Sequence, residues 1–172
     1  MKGTIVAVAF LATCGVAILP ARAAMLTFTA ELDGSQQVPA VVTSGTGVGT
    51  VLLDDVADTI TVNLSFQDLT SNAILGHIHG PGAPGVNASI LFPFTGVPNA
   101  TSGSIPEQSF SITPTEITEL ESGLLYFNVH TLNFINGEIR GQILPVPEPA
   151  TLGLLVVGGV GLAIAVRRRT RQ

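Results

Sequence analysis

The chain has 172 residues, with twelve acidic and seven basic side chains and a net charge of −5 at pH 7. Its one cysteine, Cys14, leaves no partner for an internal disulfide, so stability must come from packing. Between Ala24 and Val146 eleven acids face a single base, Arg140, a net of about −10 (1 − 11). Nucleic acid is a poor partner for such a surface, because counterion release needs clustered Lys and Arg.

The first element is an apolar run from Ile5 to Leu19, preceded by Lys2 and closed by Pro20, Ala21 and Ala23. That is the layout of a signal peptide, expected at residues 1–23 and cut by signal peptidase after Ala23. A membrane anchor fits less well, since the run is short and ends at a helix breaker. From Met25, apolar Leu26, Phe28, Ala30 and Leu32 alternate with polar residues, which predicts a half-buried strand. A turn-rich stretch, DGSQQVPAVVTSGTG, precedes a strand over Gly47 to Leu53. The acidic turn DDVAD leads into TITVNLSF, whose Ile60, Val62, Leu64 and Phe66 point one way. Its aspartates lack DxDxDG spacing and read as a solvated turn rather than a calcium loop. Further strands are expected at Ala73 to His79, Ser89 to Phe94, Gly103 to Phe110, Leu124 to Thr131 and Glu138 to Leu144. Between the third and fourth of these lies one short connector helix, TPTEITELESG, with Thr113 as N-cap, Pro114 at its first position and Glu116 completing a capping box. Short strands separated by Gly, Pro, Asn and Asp predict an all-β domain at 24–145, an antiparallel Greek-key-like sandwich or barrel.

The last element, 146–172, has an apolar helix at 150–166 followed by Arg167, Arg168 and Arg169, long enough to span a membrane with the arginines in the cytoplasm. The stretch VPEPATLGLLVVGGVGLAIAVRRRTRQ resembles the PEP-CTERM sorting signal of bacterial exported proteins, with Pro147, Glu148 and Pro149 directly before the helix. The resemblance implies recognition by an exosortase, cleavage near the PEP motif, and export from an inner-membrane precursor to the cell surface or extracellular matrix.

Strand parity places the polar residues. In AILGHIHG, His77 and His79 lie opposite Ile78; in LLYFNVHT, Tyr126, Asn128 and His130 lie opposite Phe127 and Val129; in GEIRGQIL, Glu138, Arg140 and Gln142 lie opposite Ile139 and Ile143. All three histidines of the chain and the lone base of the domain are therefore expected on outward, polar faces. If the strands are neighbours, these residues form one cluster.

The segments FTAELDGSQQVPAVVTSGTG, GHIHGPGAPG and ESGLLYFNVHTLNFINGEIRGQI together resemble the CHRD domain, named after chordin and found also in bacterial exported proteins. The resemblance runs from about Leu26 to Leu144 and implies an all-β fold and an extracellular setting, with no catalytic residues to carry over. The chain departs from the family pattern at Gln37, where a glutamate is common, at Ala40 in place of a second proline, and at Phe134 and Ile135, where a proline-containing turn is expected.

Two readings of the cluster follow. Two imidazoles two residues apart on a strand project the same way, and His130 could complete a mononuclear copper or zinc site with His77 and His79, as in a metal-binding or redox protein. Alternatively the cluster is structural, with Asn128, Glu138 and Arg140 in a hydrogen-bonded lock between strands. The loop PGAPGV reads as a wide turn, having neither a GxGxxG pattern nor a lysine for a phosphate. No nucleophile elbow or HExxH motif is present, so the expected role is a non-enzymatic binding or structural module. Extracellular polysaccharide or protein is its expected partner.

Overall fold

Residues 25–147 are described by a computed structural model. The signal peptide expected at 1–23, the helix at 150–166, and Glu148, Pro149, Arg167, Arg168 and Arg169 lie outside the described residues; Pro147 is the last residue inside them and is exposed. Among the described residues no helix is long and apolar enough to cross a membrane.

The alternating stretches form strands where the period-2 pattern predicts them. β1 (Met25–Asp33), β2 (Thr46–Asp54) and β3 (Thr59–Gln67) pair antiparallel along their full lengths. β4 (Ala73–His79), β5 (Ile90–Pro93) and β6 (Gly103–Ser111) follow, then α1 (Pro114–Glu121), β7 (Tyr126–Thr131), β8 (Ile139–Gln142) and the two-residue β9 (Leu144–Pro145). The spatial order is β5-β4-β7-β8-β1-β2-β3-β6, with β9 pairing onto β1. Every pairing is antiparallel.

This single sheet curls into a nearly closed barrel. Its interior takes one residue in two from each long strand: Phe28, Ala30 and Leu32, then Val51 and Leu53, Ile60, Val62, Leu64 and Phe66, and from the opposite wall Ile78, Phe127, Val129 and Ile139. Burying a side chain of this kind contributes about 1.5–3 kcal/mol, so this interior is the main source of stability in a domain without disulfides. The seam lies between the two end strands. There Phe110 of β6 sits 5.4 Å from Phe92 and 6.1 Å from Phe94, ring centre to ring centre. The Gln108 side chain accepts from the Thr95 backbone N–H and donates to the Thr95 carbonyl, standing in for a strand ladder.

α1 forms for the reasons its sequence announces. Thr113 accepts from the Glu116 N–H at 3.3 Å, the Glu116 carboxylate accepts from the Thr113 N–H at 2.8 Å, and Pro114 opens the first turn. The DDVAD turn is local as well: the Asp54 carboxylate accepts from the N–H groups of Val56 and Ala57, and Asp58 takes a left-handed φ of 50°.

Across the barrel, Gly49 of β2 faces the Phe127 ring so closely that a Cβ there would lie 2.4 Å from a ring carbon. Gly49→Ala is expected to destabilise the domain by about 1–3 kcal/mol through overpacking, whereas the exposed neighbour change Val48→Ala stays near ~0.5 kcal/mol. Urea denaturation of the two variants checks this.

Candidate metal centre

The register of β4, β7 and β8 carries the polar residues to one place. His77 pairs with Asn128 and Asn128 with Arg140, while His79 pairs with Tyr126 and Tyr126 with Gln142. His130 follows two residues after Asn128 on the same face of β7. All seven side chains therefore leave the barrel interior, as parity predicts. They do not reach solvent. His77, His79 and His130 are only 6–8% exposed, and all six residues of β7 are buried. The outward faces expected from the sequence are thus a second, polar layer under loops.

Three segments form that cover. The turn-rich stretch after β1 brings Gln37, whose amide donates to the Asn128 side-chain oxygen at 2.6 Å. The loop after β8's neighbour β7 folds back so that the Ile135 carbonyl accepts from His130 Nδ1 at 2.7 Å. Gly137, at φ 116°, lies so close over Asn128 that a Cβ there would meet its amide oxygen. The third segment is the Gly–Pro-rich loop after β4. It is a turn, and it is also a lid: its Ala88 carbonyl accepts from His79 Nδ1 at 3.0 Å, its Gly82 carbonyl from the Gln142 amide at 2.8 Å, and its Ala83 carbonyl from Arg140 at 3.3 Å. Tyr126 binds it from below, its hydroxyl accepting from the Ala88 N–H.

The carbonyl partners determine the tautomers. A carbonyl only accepts, so Nδ1 of His79 and of His130 must each carry a proton, leaving both Nε2 atoms as lone-pair donors. His130 Nε2 lies 3.3 Å from His77 Nδ1, while His79 Nε2 is buried with no hydrogen-bond partner. One nitrogen from each ring falls within 4.8 Å of the others. Two nitrogens on a tetrahedral ion, each ~2.0–2.1 Å from it, stand ~3.3 Å apart, so the His77–His130 spacing suits a shared ion. The third ring would need to close by up to about 1.5 Å.

Asn128 and Arg140, expected to act with Glu138, are ladder partners in the polar layer, and among the described residues no side-chain hydrogen bond joins the three to one another. Glu138 is fully buried at the end of the barrel, where its carboxylate accepts from the Thr43, Thr70 and Thr131 hydroxyls and from the Thr70 N–H. Asn128 belongs to the polar layer through Gln37. Arg140, 1% exposed, lies over the Tyr126 ring with its guanidinium carbon 3.5 Å from the ring centre. Its hydrogen-bond acceptors, the Ala83 carbonyl and the Gln142 side chain, are neutral. Thr43, Thr70 and the Gln37 contact carried no signal in the sequence, because each comes from a loop whose path parity does not determine, while Thr131 ends β7.

Burial governs the titration of the histidines. Desolvation holds His77 down to about 4, helped by the neighbouring His130 and His79. It also lowers His79 and His130, against the opposing effect of their carbonyl partners. The rings are neutral at pH 7 and available as metal ligands without proton release.

This domain is an all-β barrel with a buried polar layer bearing three imidazoles on its outer wall. It belongs to the CHRD family: the CHRD domain model matches residues 28–143, more than half of the chain. The PEP-CTERM protein-sorting motif matches residues 145–169, a signal recognised by exosortase and found on proteins exported to the cell envelope or surface. No curated protein and no solved structure matched the chain.

Two outcomes follow from the geometry. A group whose folded-state pKa lies below its unfolded value costs stability as pH falls from the unfolded pKa toward the folded one. The metal-free domain is therefore expected to lose stability between about pH 6.5 and about 4, the interval over which His77 is neutral when folded and protonated when unfolded. Thermal melts across that range, with His77→Asn as the less pH-sensitive control, measure it. Glu138→Gln is expected to cost about 1.5–3 kcal/mol, since an amide retains one acceptor oxygen where four donors converge. Denaturant titration reads that loss.

Proposed function

We propose that this chain is an exported, non-enzymatic binding protein of the cell surface or extracellular matrix, whose CHRD domain holds one copper or zinc ion through His77, His79 and His130. The observation that carries the reading is the buried lone pair of His79 Nε2. A hydrogen bond from His77 Nδ1 to His130 Nε2 accounts for that pair in a metal-free protein, yet it leaves His79 unexplained. A metal ion accounts for all three. Neutral imidazoles suit both copper and zinc, and backbone carbonyls behind two of the rings orient them as a second shell does around such ions.

The rest of the chain supports an address rather than a chemistry. Removal of 1–23 by signal peptidase and cleavage near Pro147 to Pro149 by exosortase would release a domain that begins and ends close to the described barrel. In this reading the apolar segment 150–166 would hold the precursor in the inner membrane before that cleavage. Afterwards extracellular polysaccharide or protein is the partner at the surface.

Elemental analysis of the full-length chain, purified in detergent without a histidine tag and incubated with copper(II) or zinc(II), tests the metal. About one ion per chain is expected, lost in the double variant His77→Ala, His79→Ala, with the wild-type melting temperature rising as the ion is added. A wild-type protein that takes up no ion while the double variant merely melts earlier would establish the structural reading instead. The intact mass of the exported form tests the address: a mass that still includes Arg167, Arg168 and Arg169 would overturn processing at the PEP motif.

A further inference from the structure

We propose that the cleft between the Ser35–Val38 segment and the Pro84–Gly85 turn is a second binding site, for a small carboxylate gripped by Arg140. The cleft has a volume of about 270 Å³, with Gln36, Gln37, Pro84 and Gly85 on its walls and Arg140 and Gln142 lining it. That volume suits a ligand smaller than the drug-sized molecules of ordinary pockets.

Arg140 is the only base among the described residues, and it is buried without a carboxylate among its hydrogen-bond partners. Nη2 makes two contacts, both long at 3.3 Å and both to neutral oxygens, while Nη1 is buried and makes none. The chain has an acid placed to neutralise it. Asp33 is the direct ladder partner of Arg140, yet its carboxylate is turned away to accept from the N–H groups of Ser35 and Gln36 and from both of their side chains. The polar groups beside Arg140 are equally committed: the Gln142 amide donates to the Gly82 and Gly123 carbonyls, and the Gln36 side-chain oxygen accepts from the Gln142 N–H. What the cleft lacks is one negative charge.

The class of anion follows from the way Arg140 is held. A guanidinium held over Tyr126 at 3.5 Å has one face occupied, which leaves its N–H edge, and a planar carboxylate meets such an edge with two parallel bonds. Gln37 lines the same cleft, so Gln37→Glu would add a carboxylate to its wall. This site depends on no metal and stands or falls apart from the three-histidine centre.

Calorimetric titration of the full-length chain in detergent with propionate, propionamide and inorganic phosphate tests the proposal. Propionate is expected to bind and raise the melting temperature, propionamide to do neither, and Arg140→Lys to weaken propionate about tenfold or more, the loss of one charge-assisted bond. Gln37→Glu, which gives up the hydrogen bond to Asn128 and puts a carboxylate on the cleft wall, is expected to block propionate in a protein that still melts cooperatively. In the wild-type chain, propionate should shift the guanidinium resonances of one arginine in a ¹⁵N-arginine spectrum, without recourse to any variant. Phosphate binding as tightly as propionate would overturn the carboxylate assignment. Uptake of propionate that Gln37→Glu leaves unchanged, or that propionamide matches, would overturn the site.

Discussion

A strand buried on both faces imposes the constraint on which the rest of this domain depends. β7 faces the barrel interior with Phe127, Val129 and Thr131 and the loops with Tyr126, Asn128 and His130, and none of the six is exposed. On the inner face hydrophobic packing suffices. On the outer face each polar group removed from water costs about 1–3 kcal/mol unless it finds a partner, so the loops must arrive with carbonyls and amides in the right places. The Ile135 carbonyl, the Gln37 amide and the Ala88 N–H meet that demand for His130, Asn128 and Tyr126. The long Gly–Pro loops are thus part of the structure's hydrogen bonding rather than spacers between strands.

Two atoms escape this matching, His79 Nε2 and Arg140 Nη1. They lie on either side of Tyr126, whose ring stacks on His79 at 5.1 Å and carries the Arg140 guanidinium at 3.5 Å. One is a lone pair without a proton to accept and the other a donor without an acceptor. They cannot satisfy each other across the ring. The layer therefore has one place suited to a cation and one suited to an anion, with an aromatic wall between them.

Much of the architecture was readable because period-2 alternation is a local property. β4 runs from Ala73 to His79 as the pattern indicates, and the capping box of α1 is written in Thr113, Pro114 and Glu116. Parity likewise assigned His77, His79, His130, Arg140 and Gln142 to the non-core side of their strands. It could not tell a solvated face from a covered one, since alternation reports opposite sides of a strand and nothing about what lies beyond. Glu138 shows the limit: it stands one residue before β8, where the barrel ends, and finds Thr43 and Thr70 from distant loops together with Thr131 at the end of β7. Phe134 and Ile135 mark a departure from the family pattern, yet the group that holds His130 is a backbone carbonyl, which survives any side chain at that position.

The seam of the barrel sets the order in which its wall can come apart. On one side of β4 lies β7, paired along almost its whole length; on the other lies β5, four residues long and held to β6 by aromatic rings and, two residues past its end, by the amide of Gln108 on Thr95. Opening a protein locally begins where few contacts have to be broken. Here that is β5, into which the Gly–Pro loop over His79 runs, so a fluctuation that leaves the long β1-β2-β3 meander intact would loosen one end of the cover over the buried layer.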